Sequence, residues 1–272
     1  MPCPRQKSTR IRCLRRLASE VTGLQLHDYL VLAVFAAAAV TLPTLFFITA
    51  PYGRHLRGGW GFTIPARLGW VIMESPAALL FLAVYLQGDH ATSAVPLTFL
   101  CLWQFHYVYR SFIYPLRLSR AAQRMPVSII LMAIVFNCIN AYLNARWISH
   151  LGSYPDAWFV HPAFIAGTLL FVLGWAINQH ADRVLLRLRA PGQSGYRIPR
   201  GGLYEKVSCP NYLGEMLEWT GWAIATWSLA GAAFALFTMA NLLPRAIANH
   251  RWYRQQFSDY PPGRKALLPF LL

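Results

Sequence analysis

The 272-residue chain is 56% hydrophobic and only 13% charged, about half the charged share of an ordinary soluble domain, which is roughly 25%. Twenty-five Lys and Arg against ten Asp and Glu leave a formal charge of +15, but a mean hydropathy of +0.35 excludes a disordered basic tail or a nucleic-acid-binding arm. An apolar body with basic edges is the pattern of a membrane protein.

The chain opens on a basic segment, residues 1–27, carrying Arg5, Lys7, Arg10, Arg12, Arg15 and Arg16. The apolar run that follows, 29–50, exceeds the roughly 7–15 residues of a signal-peptide core and is read as a first transmembrane helix. A bilayer core about 30 Å thick takes about 20 helical residues, because lipid offers backbone amides no partners. Further runs cover 65–86 and 92–114, both interrupted by polar residues, then 127–145 and 159–180. A sixth starts near 212 and a seventh ends near 243, with 228–231 as the turn between them. The expected fold class is all-α: a bundle of seven transmembrane helices forming one domain over 28–272, with 181–211 as a large cytoplasmic loop.

Seven spans put the termini on opposite faces. Arg146 joins the N-terminal cluster on one face, and the other eighteen basic residues fall on the second. The positive-inside rule therefore places the C-terminus in the cytoplasm, in a bacterial inner membrane or the endoplasmic reticulum. The five cysteines contain no CxxC pair, so neither a disulfide framework nor a metal site is expected.

Ionisable groups inside apolar runs are costly and read as functional when they face the protein interior. Glu74 lies about ten residues into the second run, deep in the hydrocarbon at about 1.5 Å per residue; the bland reading is a carboxyl satisfied by a neighbouring helix beside Pro76. Trp103, Tyr107, Arg110 and Tyr114, spaced four, three and four, share one helix face. An interfacial aromatic belt accounts for Arg110 and Tyr114 but poorly for Tyr107, which sits a turn deeper. His106 points elsewhere and reads as a structural hydrogen-bond partner. Asn178, Asp182, Leu185 and Arg189 repeat the spacing, and Asn211, Glu215 and Glu218 follow it with four and three. Helix caps or an exposed helix would explain Asp182 alone, not both stripes. The chain has no GxGxxG, GxxxxGK[ST], GxSxG or HExxH. A membrane carboxylate, a tyrosine and a basic loop with carboxamides point to acid-assisted chemistry on a lipid, with a phosphate-bearing cosubstrate from the cytosol.

The C-terminal half carries Ile177-Asn-Gln-His-Ala-Asp182, Leu188-Arg-Ala-Pro-Gly192, Tyr196-Arg-Ile-Pro-Arg-Gly-Gly-Leu203, Val207-Ser-Cys-Pro-Asn-Tyr-Leu-Gly-Glu215, Glu218-Trp219, and the ending Tyr260-Pro with Arg264-Lys-Ala-Leu-Leu-Pro-Phe270. With Pro65-Ala-Arg67, Glu74-Ser-Pro76 and His106-Tyr-Val-Tyr-Arg110, these segments resemble the steroid 5α-reductase family. The resemblance implies a seven-helix membrane enzyme that uses NADPH to reduce the carbon-carbon double bond of a Δ4-3-ketosteroid.

It implies further that Tyr107 and Glu74 hold the substrate carbonyl oxygen and that Trp70, Met73 and Trp103 face the substrate. The implied cofactor residues are Tyr52, Arg110, Tyr114, Asn178, Asp182, Leu185, Arg189, Tyr196, Arg197, Asn211, Tyr212, Glu215, Arg245 and Tyr253. Arg189 and Arg197 suit phosphates by bidentate geometry. Two departures stand out: animal members tend to carry glutamine where this chain has Met73, and the family's histidine run is thinned to Asn249-His250. The expected partners are a steroid or related enone lipid and membrane lipid, with no nucleic acid and no metal, and a monomer is expected. The alternatives are a polyprenol or 2-enoyl thioester reductase of the same fold, and a membrane methyltransferase of the isoprenylcysteine type using S-adenosylmethionine.

Overall fold

The computed structural model describes residues 7–118, 124–188 and 195–272. Among them the chain is mostly helical: α1 (Lys7–Phe47), α2 (Ala66–Tyr85), α3 (Ala94–Val108), α4 (Tyr114–Arg117), α5 (Val127–Arg146), α6 (Pro162–Arg187), α7 (Pro210–Thr226) and α8 (Leu229–Gln256). A π-helical turn, Tyr109–Ile113, joins α3 to α4 with helical backbone throughout. Two three-residue strands, β1 (Thr63–Pro65) and β2 (Arg124–Pro126), pair antiparallel with Ile64 opposite Met125, and so tie the foot of α2 to that of α5.

Five helical stretches are long and apolar enough to cross a membrane: Gly23–Phe47, Ala66–Tyr85, Val127–Leu151, Pro162–Arg187 and Leu229–Gln256. The expected third and sixth spans are shorter, α3 at 15 residues and α7 at 17. Two boundaries differ in the other direction. α6 runs past the expected end at 180 to Arg187, and α8 runs past 243 to Gln256, through Pro244. Hydropathy ends a span where polar residues begin; here Asp182, Arg245 and Asn249 are buried against neighbouring elements, so the helix continues through them. The loop expected at 181–211 is correspondingly shorter. The α7–α8 turn also falls slightly earlier than expected. Trp227 takes a left-handed backbone (φ 46°), and Ser228 Oγ caps α8 by accepting from the Gly231 amide at 2.9 Å.

The closest helix pair is α6 with α7, antiparallel along a seam of glycines seven residues apart on each helix. A Cβ on Gly174 would lie 2.3 Å from the Glu218 amide nitrogen, one on Gly214 2.5 Å from that of Asn178, and one on Gly221 2.4 Å from that of Phe171. Helices in lipid gain from such backbone approach because apolar side chains there gain nothing by leaving the hydrocarbon. Beside the seam lies an aromatic layer in which Trp103 stacks on Phe81 at 4.4 Å and Trp219 meets Phe234 at 4.4 Å. Each buried indole N–H here that bonds finds an acceptor on another helix: Trp103 donates to Ala77 O at 2.8 Å and Trp222 to Asn144 Oδ1 at 2.8 Å.

The seam makes a direct prediction. Gly174→Ala or Gly214→Ala forces backbone apart and is expected to cost about 1–3 kcal/mol, seen as a lower thermal midpoint in detergent. Gly23→Ala, where an added Cβ meets nothing within 4 Å, leaves the midpoint unchanged or raises it.

Candidate active site

A cavity of about 750 Å³ opens between α1, α2, α5, α7, α8 and the π-helical turn. Its apolar end is walled by Val40 and Leu45 of α1, Met132 and Phe136 of α5, and Phe234 and Phe237 of α8; its polar end by Arg110, Asp182, Glu215 and Arg245.

Glu74 faces this space from α2, whose backbone draws on side-chain donors. Pro76 has no N–H, so the Ile72 carbonyl loses its helical donor, and Ser75 Oγ reaches it at 3.3 Å. Neighbouring helices donate to the carbonyls around it: Asn137 Nδ2 to Met73 O at 2.6 Å, Trp103 Nε1 to Ala77 O at 2.8 Å, and Gln104 Nε2 to Ala78 O at 2.9 Å. The segment bearing Glu74 is thus pinned from α3 and α5.

Tyr107 enters the same cavity from α3. Its ring is wedged between Trp103 (4.8 Å) and Trp219 (5.5 Å, near-parallel). Among the described residues its hydroxyl makes no hydrogen bond, and it shares the lining of the cavity with Glu74. Trp103, expected to face the substrate, is fully buried one layer behind Tyr107, because its N–H is drawn to α2. His106 lines the cavity as well, contrary to its expected direction, while its Nδ1 meets Glu218 Oε1 at 2.7 Å. Glu218 therefore leaves the stripe of Asn211 and Glu215 for a buried pair in the aromatic layer.

At the polar end, Arg110 gathers the elements. Its guanidinium meets Asp182 at 3.1 Å and Glu215 at 3.8 Å, and lies 4.6 Å over Trp70 and 4.7 Å over Tyr114. Opposite it, Arg245 lies 3.5 Å over the Tyr52 ring and donates to Tyr212 Oη at 2.9 Å, Tyr52 O at 3.2 Å and Ala50 O at 3.3 Å. One guanidinium thereby holds the α1–α2 loop against α7 and α8. Gly53, with φ +62°, lets the chain turn under it.

Two residues escaped the sequence reading. Arg54 lies over Tyr253 (4.3 Å) and Trp252 (4.9 Å) and donates to Tyr253 Oη at 3.0 Å. His55 bonds Asn249 Oδ1 at 3.0 Å. Burial pushes the His55 imidazole below its ordinary range against that hydrogen bond, helped by the charges of Arg245, Arg54 and Arg57, so the ring is neutral at pH 7. The available signal was the spacing of Arg245, Asn249 and Tyr253, four and four, on one face of α8.

The structure brings most of the expected residues together. Glu74, Tyr107, Trp70, Met73, Tyr52, Arg110, Tyr114, Asp182, Leu185, Tyr196, Asn211, Tyr212, Glu215, Arg245 and Tyr253 all line the cavity. Asn178 sits behind the wall and donates to the Asn211 carbonyl at 3.0 Å. Arg197 is exposed and stands outside the lining, and Arg189 lies outside the described residues.

The sequence profile of the family described as 3-oxo-5-alpha-steroid 4-dehydrogenase matches residues 123–272. The chain is 45% identical over 260 residues to the steroid 5-alpha-reductase DET2 of Gossypium hirsutum, covering 94% of this chain and 100% of that protein. It is 42% identical to the protein of the same name from Arabidopsis thaliana, covering 93% and 99%. It is also 40% identical to 3-oxo-5-alpha-steroid 4-dehydrogenase 1 of Rattus norvegicus, covering 93% and 98%.

The His106–Glu218 pair has a checkable energetic signature. Glu218→Ala strands a buried imidazole without its partner and is expected to destabilise the protein by about 3–5 kcal/mol, whereas the double variant His106→Leu, Glu218→Leu recovers most of that loss. Thermal unfolding in detergent reads both.

Proposed function

Since the chain belongs to the 3-oxo-5-alpha-steroid 4-dehydrogenase family, and is thereby an oxidoreductase acting on CH–CH donors, we propose that it carries out the NADPH-dependent reduction of the carbon-carbon double bond of a Δ4-3-ketosteroid to the 5α-dihydro-3-ketosteroid. The observation that carries this reading is that the Tyr107 hydroxyl, without a hydrogen bond among the described residues, and the Glu74 carboxyl enter one cavity that is also lined by the guanidiniums of Arg110 and Arg245. Hydride arriving at the carbon β to a carbonyl drives negative charge onto the carbonyl oxygen. A phenol and a carboxyl already aimed at that oxygen, in a cavity walled by apolar side chains, stabilise the charge without reorganising. Tyr107 donates to the oxygen, and Glu74 flanks it.

The residues at the polar end fit a dinucleotide. Bound NADPH supplies the hydride. Arg110 pairs most closely with Asp182 and offsets one of the two negative charges of Asp182 and Glu215, and carboxylates so placed suit ribose hydroxyls as acceptors. Tyr52, Tyr196, Tyr212 and Tyr253 line the cavity with phenol groups, two of them backed by the guanidiniums of Arg245 and Arg54. Arg197, exposed beside Tyr196, suits a phosphate entering from the cytosol.

In this reading α3, prolonged through the π-helical turn, and α7 complete seven spans with the C-terminus cytoplasmic. The substrate reaches the apolar end from lipid and the cofactor reaches the polar end from the cytosol. Methyl transfer from S-adenosylmethionine has no need of a phenol and a carboxyl converging on one oxygen. An isoprenoid or thioester enone in place of the steroid would meet the same pair.

Tyr107→Phe and Glu74→Gln are expected to fold and to bind NADPH but to reduce testosterone or progesterone roughly 10² to 10⁴ times more slowly, the range of a lost proton donor. Mass spectrometry of products from detergent-purified protein checks this, and near-normal turnover in both variants removes those roles. NADPH should bind in a salt-sensitive manner and S-adenosylmethionine not at all, since only the former's phosphates meet the arginines.

A further inference from the structure

We propose that Asn137 is a positioning residue for the reaction: it clamps the Glu74 carboxyl so that Oε1, not Oε2, is the oxygen presented to the substrate carbonyl. The inference rests on the role given above to Glu74.

Asn137 lies on α5 and is 6% exposed. Its Nδ2 donates to Met73 O at 2.6 Å and to Glu74 Oε2 at 3.4 Å, so one NH₂ group spans the backbone and the side chain of two consecutive residues on α2. The orientation of the carboxamide is fixed by chemistry. A carbonyl such as Met73 O only accepts, and Asn137 Oδ1 placed 2.6 Å from it would set two acceptors face to face, so the NH₂ must point toward α2.

Glu74 Oε2 is thereby engaged as an acceptor. A proton on that oxygen would face an N–H donor, so the carboxyl proton, when present, belongs on Oε1. Oε1 makes no hydrogen bond among the described residues, and Glu74 lines the cavity. The clamp consequently sets both the rotamer of the side chain and the oxygen that meets the ligand.

Of the other carboxamides of α5, Asn144 is committed elsewhere at both ends, whereas Asn140 Nδ2 has no partner among the described residues. Asn144 Nδ2 donates to Asn140 Oδ1 at 2.9 Å, and Asn144 Oδ1 accepts from Trp222. A carboxamide inside a membrane span is expensive unless it has a function or a partner, and Asn137 spends its donors on the segment that bears the acid. A purely structural Asn137 would need only Met73 O.

The test is a double-mutant cycle on the full chain in detergent, with NADPH and a Δ4-3-ketosteroid. Asn137→Leu removes the donor at similar size, and Asn137→Asp keeps the shape without the N–H. Both are expected to lower kcat roughly ten- to hundredfold, the effect of a misplaced catalytic group, with the NADPH Kd unchanged. In a Glu74→Gln background, Asn137→Leu should cost nothing more.

An equal loss in both backgrounds, or an unchanged kcat in the single variants, overturns the proposal. Near-normal turnover of Glu74→Gln alone would instead overturn the role of Glu74, and the two failures are told apart by which variant is normal. Infrared spectroscopy reads the clamp without turnover. The carboxyl band that disappears in Glu74→Gln should shift in Asn137→Leu, and a band that stays in place refutes the contact.

Discussion

α6 and α7 meet backbone against backbone at their glycines, and the polar end of the cavity depends on that approach. Ordinary helix pairs stand about 8–10 Å apart, a spacing set by the side chains between them. At Gly167, Gly174, Gly214 and Gly221 there are none. The seam lets Asn178 of α6 reach the Asn211 carbonyl at the start of α7, and it lets Asp182 and Glu215, one from each helix, converge on a single guanidinium at Arg110. A wider pair would leave one carboxylate buried without a cation, which a low-dielectric interior does not tolerate.

The same economy of partners runs through the rest of the bundle. Polar groups within apolar helices are spent on other helices: Trp103 and Gln104 on α2, Asn137 on α2, Trp222 on α5. The helix interrupted by Pro76 is the one that receives the most. The segment bearing Glu74 is consequently among the most heavily tethered in the molecule, which suits a group whose value lies in where it points.

The site was legible where a physical rule ties spacing to direction. Tyr107, Arg110 and Tyr114 could be grouped because helical residues three and four apart share a face, and Glu74 was conspicuous because a carboxyl in hydrocarbon is costly. Spacing also put Trp103 on that face, where it packs beside Tyr107, but spacing does not say which part of a face meets a cavity and which meets another helix. Arg54 and His55 lie in a single three-residue 3-10 turn, too short to show a period, and their partners come from α8, 199 and 194 positions away in the chain. The length of α8 was hidden for a related reason. Arg245 and Asn249 look like the end of a span by hydropathy, and only tertiary partners show that helix continues through them. Membership of the bundle by α3 and α7 was readable from their apolarity, whereas their shortness was not.

The connection between α7 and α8 has a mechanical consequence. Only Trp227 and Ser228 separate the two helices, the first in a left-handed conformation and the second engaged as a cap, with Thr226 Oγ1 in contact with Ser228 Oγ at 3.0 Å. So short and fully bonded a link has no room to act as a hinge. The turn fixes the hairpin at one end, and at the other Tyr212 and Arg245 are held together by their own hydrogen bond of 2.9 Å. Through Arg245 the same hairpin also anchors the loop between α1 and α2, at Ala50 and Tyr52.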